Sequence, residues 1–192
     1  MIDLYAAGTS NGMRARIALE ECGLPYDFHP IALDKGEHKT EKFRAVNPMG
    51  KVPALAHRGV VVTEAAAICA YIADRYPETG LAPAATDPLR ARYLQWLFFS
   101  PSCIEPALIQ IFTKLEVPAS TAAWGSAAQV FDALDAALQK GPWVLGEKFS
   151  AADIMLGSGL NFAVRQFKMV PSRPSFDAYI DRCSARPASA CR

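Results

Sequence analysis

The hydrophobic rhythm of this chain of 192 residues changes once, at Pro77. Before Pro77, short strand-like runs alternate with helix-like segments; beyond the linker that follows, only helical periods recur. A chain with that change folds as a small mixed sheet covered by helices, followed by an all-helical part, an α/β plus all-α fold class. The expected domains are residues 1–77 and 88–192, joined by a linker over 78–87 that contains Gly80 and Pro83.

In the first domain, Ile2–Tyr5 reads as a strand and Gly8-Thr9-Ser10-Asn11-Gly12 as a turn. Met13–Cys22 reads as a helix with Met13 and Ile17 on one face, closed by Gly23. Further strands are expected over Tyr26–Ile31, Val52–Ala56 and Val60–Val62, the last two joined through Arg58-Gly59 as a tight hairpin. Thr63 is expected to cap a helix over Glu64–Tyr76, which Pro77 ends. A βαβ unit requires parallel strands and the hairpin adds antiparallel ones, so the four-stranded sheet is mixed. In the second domain Leu89–Thr113, Ala119–Gln139, Ser150–Val164 and Pro174–Ser184 read as helices of a bundle. Pro101 and Pro106 should break or kink the first, and Ser150 with Asp153 has capping-box spacing.

Composition narrows the function. Lys and Arg number 20 against 19 Asp and Glu, and neither half of the chain forms a basic arm, so a polyanion-binding role is not expected. The longest apolar run, Ala65–Ala73, is too short for a bilayer, and Met1–Tyr5 carries no basic or apolar leader pattern. A cytoplasmic protein is expected. The five cysteines are scattered without a Cys-x-x-Cys pair, and His29, His38 and His57 are dispersed, so no metal site is expected.

Two helix beginnings carry the site signals. Thr9, Ser10 and Asn11 open the first helix, where free backbone N–H groups and the helix dipole favour an anion. The same side chains also serve as ordinary caps. Val52-Pro53 precedes a strand and Glu64-Ala65 opens a helix. A cis proline there would expose the Val52 backbone to an extended peptide, while the helix amides would meet a carboxylate and a buried Glu64 an ammonium group. Each feature singly also has an ordinary structural reading.

Together these residues resemble the glutathione transferase family across nearly the whole chain. The carriers are Thr9-Ser10-Asn11-Gly12, the run Asn47-Pro48-Met49-Gly50-Lys51-Val52-Pro53-Ala54-Leu55, Thr63–Ile72 and Phe149–Asp153. The opening segment is most similar to the bacterial Nu class and to transferase-like disulfide-bond reductases. The resemblance implies a thioredoxin-like first domain, a helical second domain and glutathione as co-substrate. It implies that Val52 beside Pro53 pairs with the cysteinyl unit and that Glu64 and Ala65 hold the γ-glutamyl end. His38 and Lys51 approach the glycyl carboxylate, and Thr9, Ser10 and Asn11 lie near the sulfur. Two departures stand out: Ser10 occupies a position that is often Pro, and Ala65 replaces the usual Ser. The second removes one hydrogen bond to a charged group, about 1.5–3 kcal/mol.

The implied enzyme uses the glutathione thiolate against small apolar electrophiles, disulfides or organic hydroperoxides, as a homodimer in detoxification chemistry. The alternative is a catalytically weak binding or regulatory module on the same fold, which Ala65 favours. Trp96, Phe98 and Phe99 read as core, one of them able to face a substrate cleft; Trp124 and Trp143 carry no partner signal, and Arg165 or Arg173 could approach the site.

Overall fold

The computed structural model describes residues 1–8, 10–118 and 120–190, with only the backbone of Ser10. These residues form two compact units, Met1–Leu81 together with the segment from Pro187, and Ala82–Arg186.

The first unit is built on strands β1 (Ile2–Ala6), β2 (Asp27–Pro30), β3 (Ala54–His57) and β4 (Val60–Thr63), in the order β2-β1-β3-β4. β1 pairs parallel with β2 and antiparallel with β3, and β3 pairs antiparallel with β4. The mixed sheet is therefore as expected, with β4 as an exposed edge. The β3–β4 turn uses Arg58 and Gly59 at φ 53° and 80°, the twist that a two-residue hairpin requires. Helices α1 (Ser10–Glu21) and α3 (Ala65–Arg75) pack together beside the sheet, burying Ala15, Ala18 and Leu19 with Ile68, Cys69 and Ile72. Small alanines on that seam let two helices approach closely.

α1 differs from expectation in start and facing. It begins at Ser10, and its buried stripe runs through Gly12, Arg14, Ala15, Ala18 and Leu19, leaving Met13 and Ile17 half-buried. The lack of a side chain at Gly12 explains the phase: a Cβ there would lie 2.2 Å from the Ala7 carbonyl oxygen. Only glycine lets the helix start so close to the end of β1. The stretch between β2 and β3, irregular in the sequence, contains a 3₁₀ turn at Glu37–Lys39 and the single-turn helix α2 (Glu41–Arg44), capped by Thr40.

The second unit contains α4 (Arg90–Phe99), α5 (Glu105–Thr113), α6 (Ala127–Leu138), α7 (Ala151–Leu160) and α8 (Pro174–Ser184). Pro101 neither breaks nor sharply ends the first helix. Residues Ser100–Ile104 wind as a π-helix, whose wider turn accommodates a residue lacking its N–H, and α5 continues from there. Pro106 falls in the first turn of α5, where its missing donor matters least. α6 starts at a Ser126–Gln129 capping box, later than the Ala119 start read from the pattern; Ala119 itself lies outside the described residues. The core gathers Tyr93, Leu97, Ile104, Leu134, Met155, Phe176, Tyr179 and Ile180. The chain's last described turn, Pro187–Ala190, packs on α1 with Ala188 buried, so it belongs with the first unit and not with the helical one.

Candidate functional site

Strand register decides which parts of the first unit meet. Tyr5 is opposite Ala54, and Ala54 is opposite Thr63, while Ala6 pairs with Pro30 in the parallel direction. The exit of β1, the entry to β3, the exit of β4 and the exit of β2 thus lie at one end of the sheet. That end receives the start of α1, the Val52-Pro53 pair, the Glu64-Ala65 pair and the segment leading to His38. Segments far apart in sequence converge because the topology alternates strand directions.

Each local geometry has a cause. The Val52–Pro53 bond is cis, and Pro53 is buried while Val52 is half-buried. The loop before it is held by Asn47, only 2% exposed. Its Nδ2 donates to the Lys51 carbonyl (2.7 Å) and its Oδ1 accepts from the Met49 N–H (3.1 Å). Gly50, at φ 60°, passes so near the His38 carbonyl that a Cβ would sit 2.8 Å from that oxygen. Asn47 thus has a role that the motif alone does not assign it; an Asn before Pro, followed by Gly, is the signal of such a side-chain-closed turn.

At α3 the expectation is corrected twice. Thr63 is the last residue of β4 and not the cap; the cap position is Glu64, at φ 68° and ψ 120°, with no side-chain hydrogen bond closing the helix. The Glu64 side chain is exposed rather than buried. A non-glycine residue held there carries about 1–3 kcal/mol of backbone strain. Ala65 is 8% exposed and begins the helix directly behind it. Positive φ at Glu64 turns the chain from strand into helix within one residue, and the first α3 amides have no intrahelical partners.

Thr9 lies outside the described residues, as does the Ser10 side chain; the Ser10 backbone opens α1. Asn11 is half-buried in the first turn, and its Oδ1 accepts from Arg14 Nη1 at 2.7 Å. Arg14, only 2% exposed, is a residue to which the sequence motifs assign no part. The available signal is a charged residue four before Ala18, on the stripe that packs. Lys51 is exposed; His38 is half-buried, with its Nδ1 buried and unpartnered. Tyr5 stacks on His29 (4.6 Å between ring centroids) and meets Phe43 edge-on, a packing role.

The four thiols among the described residues are unsuited to attack. Burial pushes the Cys69 and Cys183 thiols up to about 12, and raises Cys22 and Cys103 as well. Cys191 is outside the described residues. Arg165 is committed to Asp181 (2.8 Å) and Asp177, and Arg173 to Asp132 (2.7 Å) and Asp135, all within the second unit, so both arginines act as internal ties. Among the described residues no cluster of three or more His, Cys, Asp or Glu could hold a metal, and no helix is long and apolar enough to cross a membrane.

Comparison with known proteins agrees with this arrangement. Residues 10–75 match the Glutathione S-transferase N-terminal domain family, and residues 117–182 match the corresponding C-terminal domain family. Glutathione S-transferase 3 of Zea mays is 31% identical, covering 97% of this chain and 90% of its own. The chain belongs to the glutathione transferase family. Another member, the disulfide-bond oxidoreductase YfcG of Escherichia coli K12, is 29% identical over 98% of this chain and 93% of its own. A glutathione transferase family member from Pseudomonas fluorescens, crystallised with two glutathione molecules bound, superposes with a TM-score of 0.82. It is 26% identical, over 98% of this chain and 90% of its own. Within this glutathione transferase, three of the four converging segments, the start of α1, Val52-Pro53 and Glu64-Ala65, are among those on which the sequence resemblance rests.

Proposed function

We propose that this chain is a glutathione-dependent transferase in which glutathione supplies the reactive sulfur. One observation carries the reading: register brings the start of α1, Val52-Pro53 and the uncapped start of α3 to one end of the sheet. The Val52 backbone, just ahead of the entry to β3, then pairs with the cysteinyl unit of glutathione. The α3 amides at Ala65 and the exposed Glu64 carboxylate receive the γ-glutamyl carboxylate and ammonium groups. Lys51 and His38 attend the glycyl carboxylate. Asn11, in the first turn at the positive end of α1, lowers the thiol pKa by donating to the thiolate, a role the resemblance gives to Thr9 and Ser10 as well.

The thiolate attacks an electrophilic carbon, forming a C–S bond as the leaving group departs with the bonding pair. On a disulfide, it forms a mixed disulfide and releases one thiol; a second glutathione attacks the mixed disulfide, releasing the other thiol and forming oxidised glutathione. On an organic hydroperoxide, it takes the terminal oxygen and releases the alcohol, and a second glutathione converts the resulting sulfenic acid to oxidised glutathione and water. The name of the YfcG relative and the raised thiols among the described residues support the disulfide branch without a cysteine of the protein. The enzyme acts as a homodimer in the cytoplasm, and residues 1–77 and 88–192 act as glutathione-binding and electrophile-binding parts.

The test is retention on immobilised glutathione, then turnover with an aromatic halide and with hydroxyethyl disulfide. Retention with either turnover is the expected result. Retention without turnover selects the binding-module alternative that Ala65 favours, and absence of both removes glutathione from the account.

A further inference from the structure

Arg14 is an unusual residue to find in the packed stripe of α1. Its side chain is 2% exposed, its carbonyl accepts a contact from Cys69 Sγ (3.7 Å) on α3, and its Nη1 donates to Asn11 Oδ1 at 2.7 Å. Burying a guanidinium is expensive unless it is paired and hydrogen-bonded, so its position calls for a reason. The contact to Asn11 has a definite chemical consequence. A guanidinium has donors and no acceptor, so the carboxamide group can present only its oxygen to Arg14. The planar amide then carries its Nδ2 on the opposite side of Cγ, and Nδ2 has no hydrogen-bond partner among the described residues. Without Arg14 a carboxamide can rotate by half a turn and present its oxygen instead.

That choice matters if a thiolate lies at the start of α1. An N–H donor stabilises the anion, whereas a carbonyl oxygen repels it. Withdrawal of electron density from Oδ1 toward the guanidinium also polarises the Nδ2–H bonds and strengthens them as donors. Arg14 reaches no ligand itself in this scheme. We propose that Arg14 is a positioning residue, locking the Asn11 carboxamide so that Nδ2 donates to the glutathione thiolate. This rests on the functional reading above, in which Asn11 stands near the sulfur, and adds the residue that fixes which of its atoms does so.

The experiment titrates the thiolate absorbance of enzyme-bound glutathione against pH, with unfolding midpoints recorded in parallel. Asn11→Ala removes the donor, and Arg14→Met frees the carboxamide. Each is expected to raise the bound thiol pKa by about one unit, so that about tenfold less thiolate is present below both values. The double variant Asn11→Ala/Arg14→Met is expected to match Asn11→Ala alone, because Arg14 acts through Asn11. Arg14→Lys keeps the charge but loses the rigid planar fork. It is expected to give a smaller upward shift, again absent in the Asn11→Ala background, and it decides the matter should Arg14→Met fail to fold. An unchanged thiol pKa in the folded Arg14 variants, with a raised one in Asn11→Ala, overturns the positioning role. So do additive shifts, which identify a direct effect of the charge. An unchanged value in Asn11→Ala instead overturns the placement of Asn11 at the sulfur.

Discussion

Helix α7 begins with its amides closed by its own sequence, whereas α3 begins with no such closure. At α7, Asp153 is fully buried, and its Oδ2 accepts from the Ser150 N–H (2.8 Å) and the Ser150 hydroxyl (3.0 Å). Its Oδ1 accepts from the Val144 N–H (2.9 Å) and the Tyr179 hydroxyl (2.7 Å). At α3 the cap residue is Glu64, strained in φ, exposed, and without a capping side-chain bond. The two starts share the same electrostatics, since each lies at the positive end of a helix whose first N–H groups lack intrahelical partners. What separates them is who satisfies those groups. A start closed from within holds the fold together; a start held open against strain is the one to which the proposed reading assigns the ligand.

The largest expected effect lies at the closed start. Asp153→Ala strands four buried donors at once, each costing about 1–3 kcal/mol when unsatisfied. Loss of at least about 3 kcal/mol is expected even with partial relaxation, a large part of a total stability near 5–15 kcal/mol. Denaturant unfolding measures it, and a midpoint close to wild type would erase the contrast between the two starts. At the open start the corresponding change affects the ligand. Ala65→Ser adds a hydroxyl beside the α3 amides and should tighten glutathione binding about tenfold, the scale of one hydrogen bond to a charged group. Calorimetric titration reads that directly; unchanged affinity would mean that the γ-glutamyl carboxylate does not sit there.

Glu64→Gly probes the strain itself. Glycine adopts positive φ freely, so about 1–3 kcal/mol of strain is relieved. The unfolded chain gains freedom worth about 0.4–1 kcal/mol in the opposite direction. The unfolding midpoint should rise slightly while retention on glutathione falls, because the carboxylate for the ammonium group is gone. A variant losing both stability and binding would show that Glu64 is a structural residue.

The mixed sheet, its hairpin and the closed start of α7 are legible in the sequence alone, because alternation, the Arg58-Gly59 turn and the Ser150–Asp153 spacing are local signals. Features decided by distant segments are not. Thr63 has the chemistry of a cap, but the strand ladder opposite Ala54 claims it and moves the cap to Glu64. The facing of α1 is set by the contact of Gly12 with Ala7, which no periodicity encodes, and that contact turns Arg14 inward. Pro101 reads as a break, yet a π-turn absorbs it because helices on either side of it are already packed. Local chemistry is readable along the chain; the phase and pairing imposed from elsewhere in the fold are not.

Acid sharpens the comparison further. His57, 5% exposed with its Nδ1 against the Tyr71 hydroxyl (3.0 Å), has its pKa lowered from 6.5, first by burial and then by Arg58. Its neutral form is favoured in the fold, so its contribution is complete above 6.5 and declines as pH falls toward the lowered value. Asp135, in the second unit, is lowered from 3.8 by the Ser175 and Gln139 hydrogen bonds, and its contribution declines only as pH falls below 3.8. The first unit should therefore weaken at milder acidity. All three tryptophans, Trp96, Trp124 and Trp143, lie in the second unit, so circular dichroism should change before tryptophan emission as pH falls. His57→Gln should remove that first phase.

The smallest expected effect concerns the thiols that each region buries. Cys69 lies on α3 with no exposure, and Cys183 lies against α7, its Sγ 3.9 Å from the Asp153 carbonyl. Both are pushed up to about 12, so near neutral pH less than about one molecule in ten thousand carries either thiolate. Neither could open a disulfide at a useful rate, and a mechanism centred on them would fail on population alone. In the proposed placement glutathione meets no such penalty, because its sulfur need not be buried in an apolar core. A variant with Ala at 69 and 183 and Ser at 22, 103 and 191 should keep its disulfide turnover, measured per folded molecule. Loss of turnover in that folded variant would return the nucleophile to the protein and end the distinction between a start that serves the fold and a start that serves the ligand.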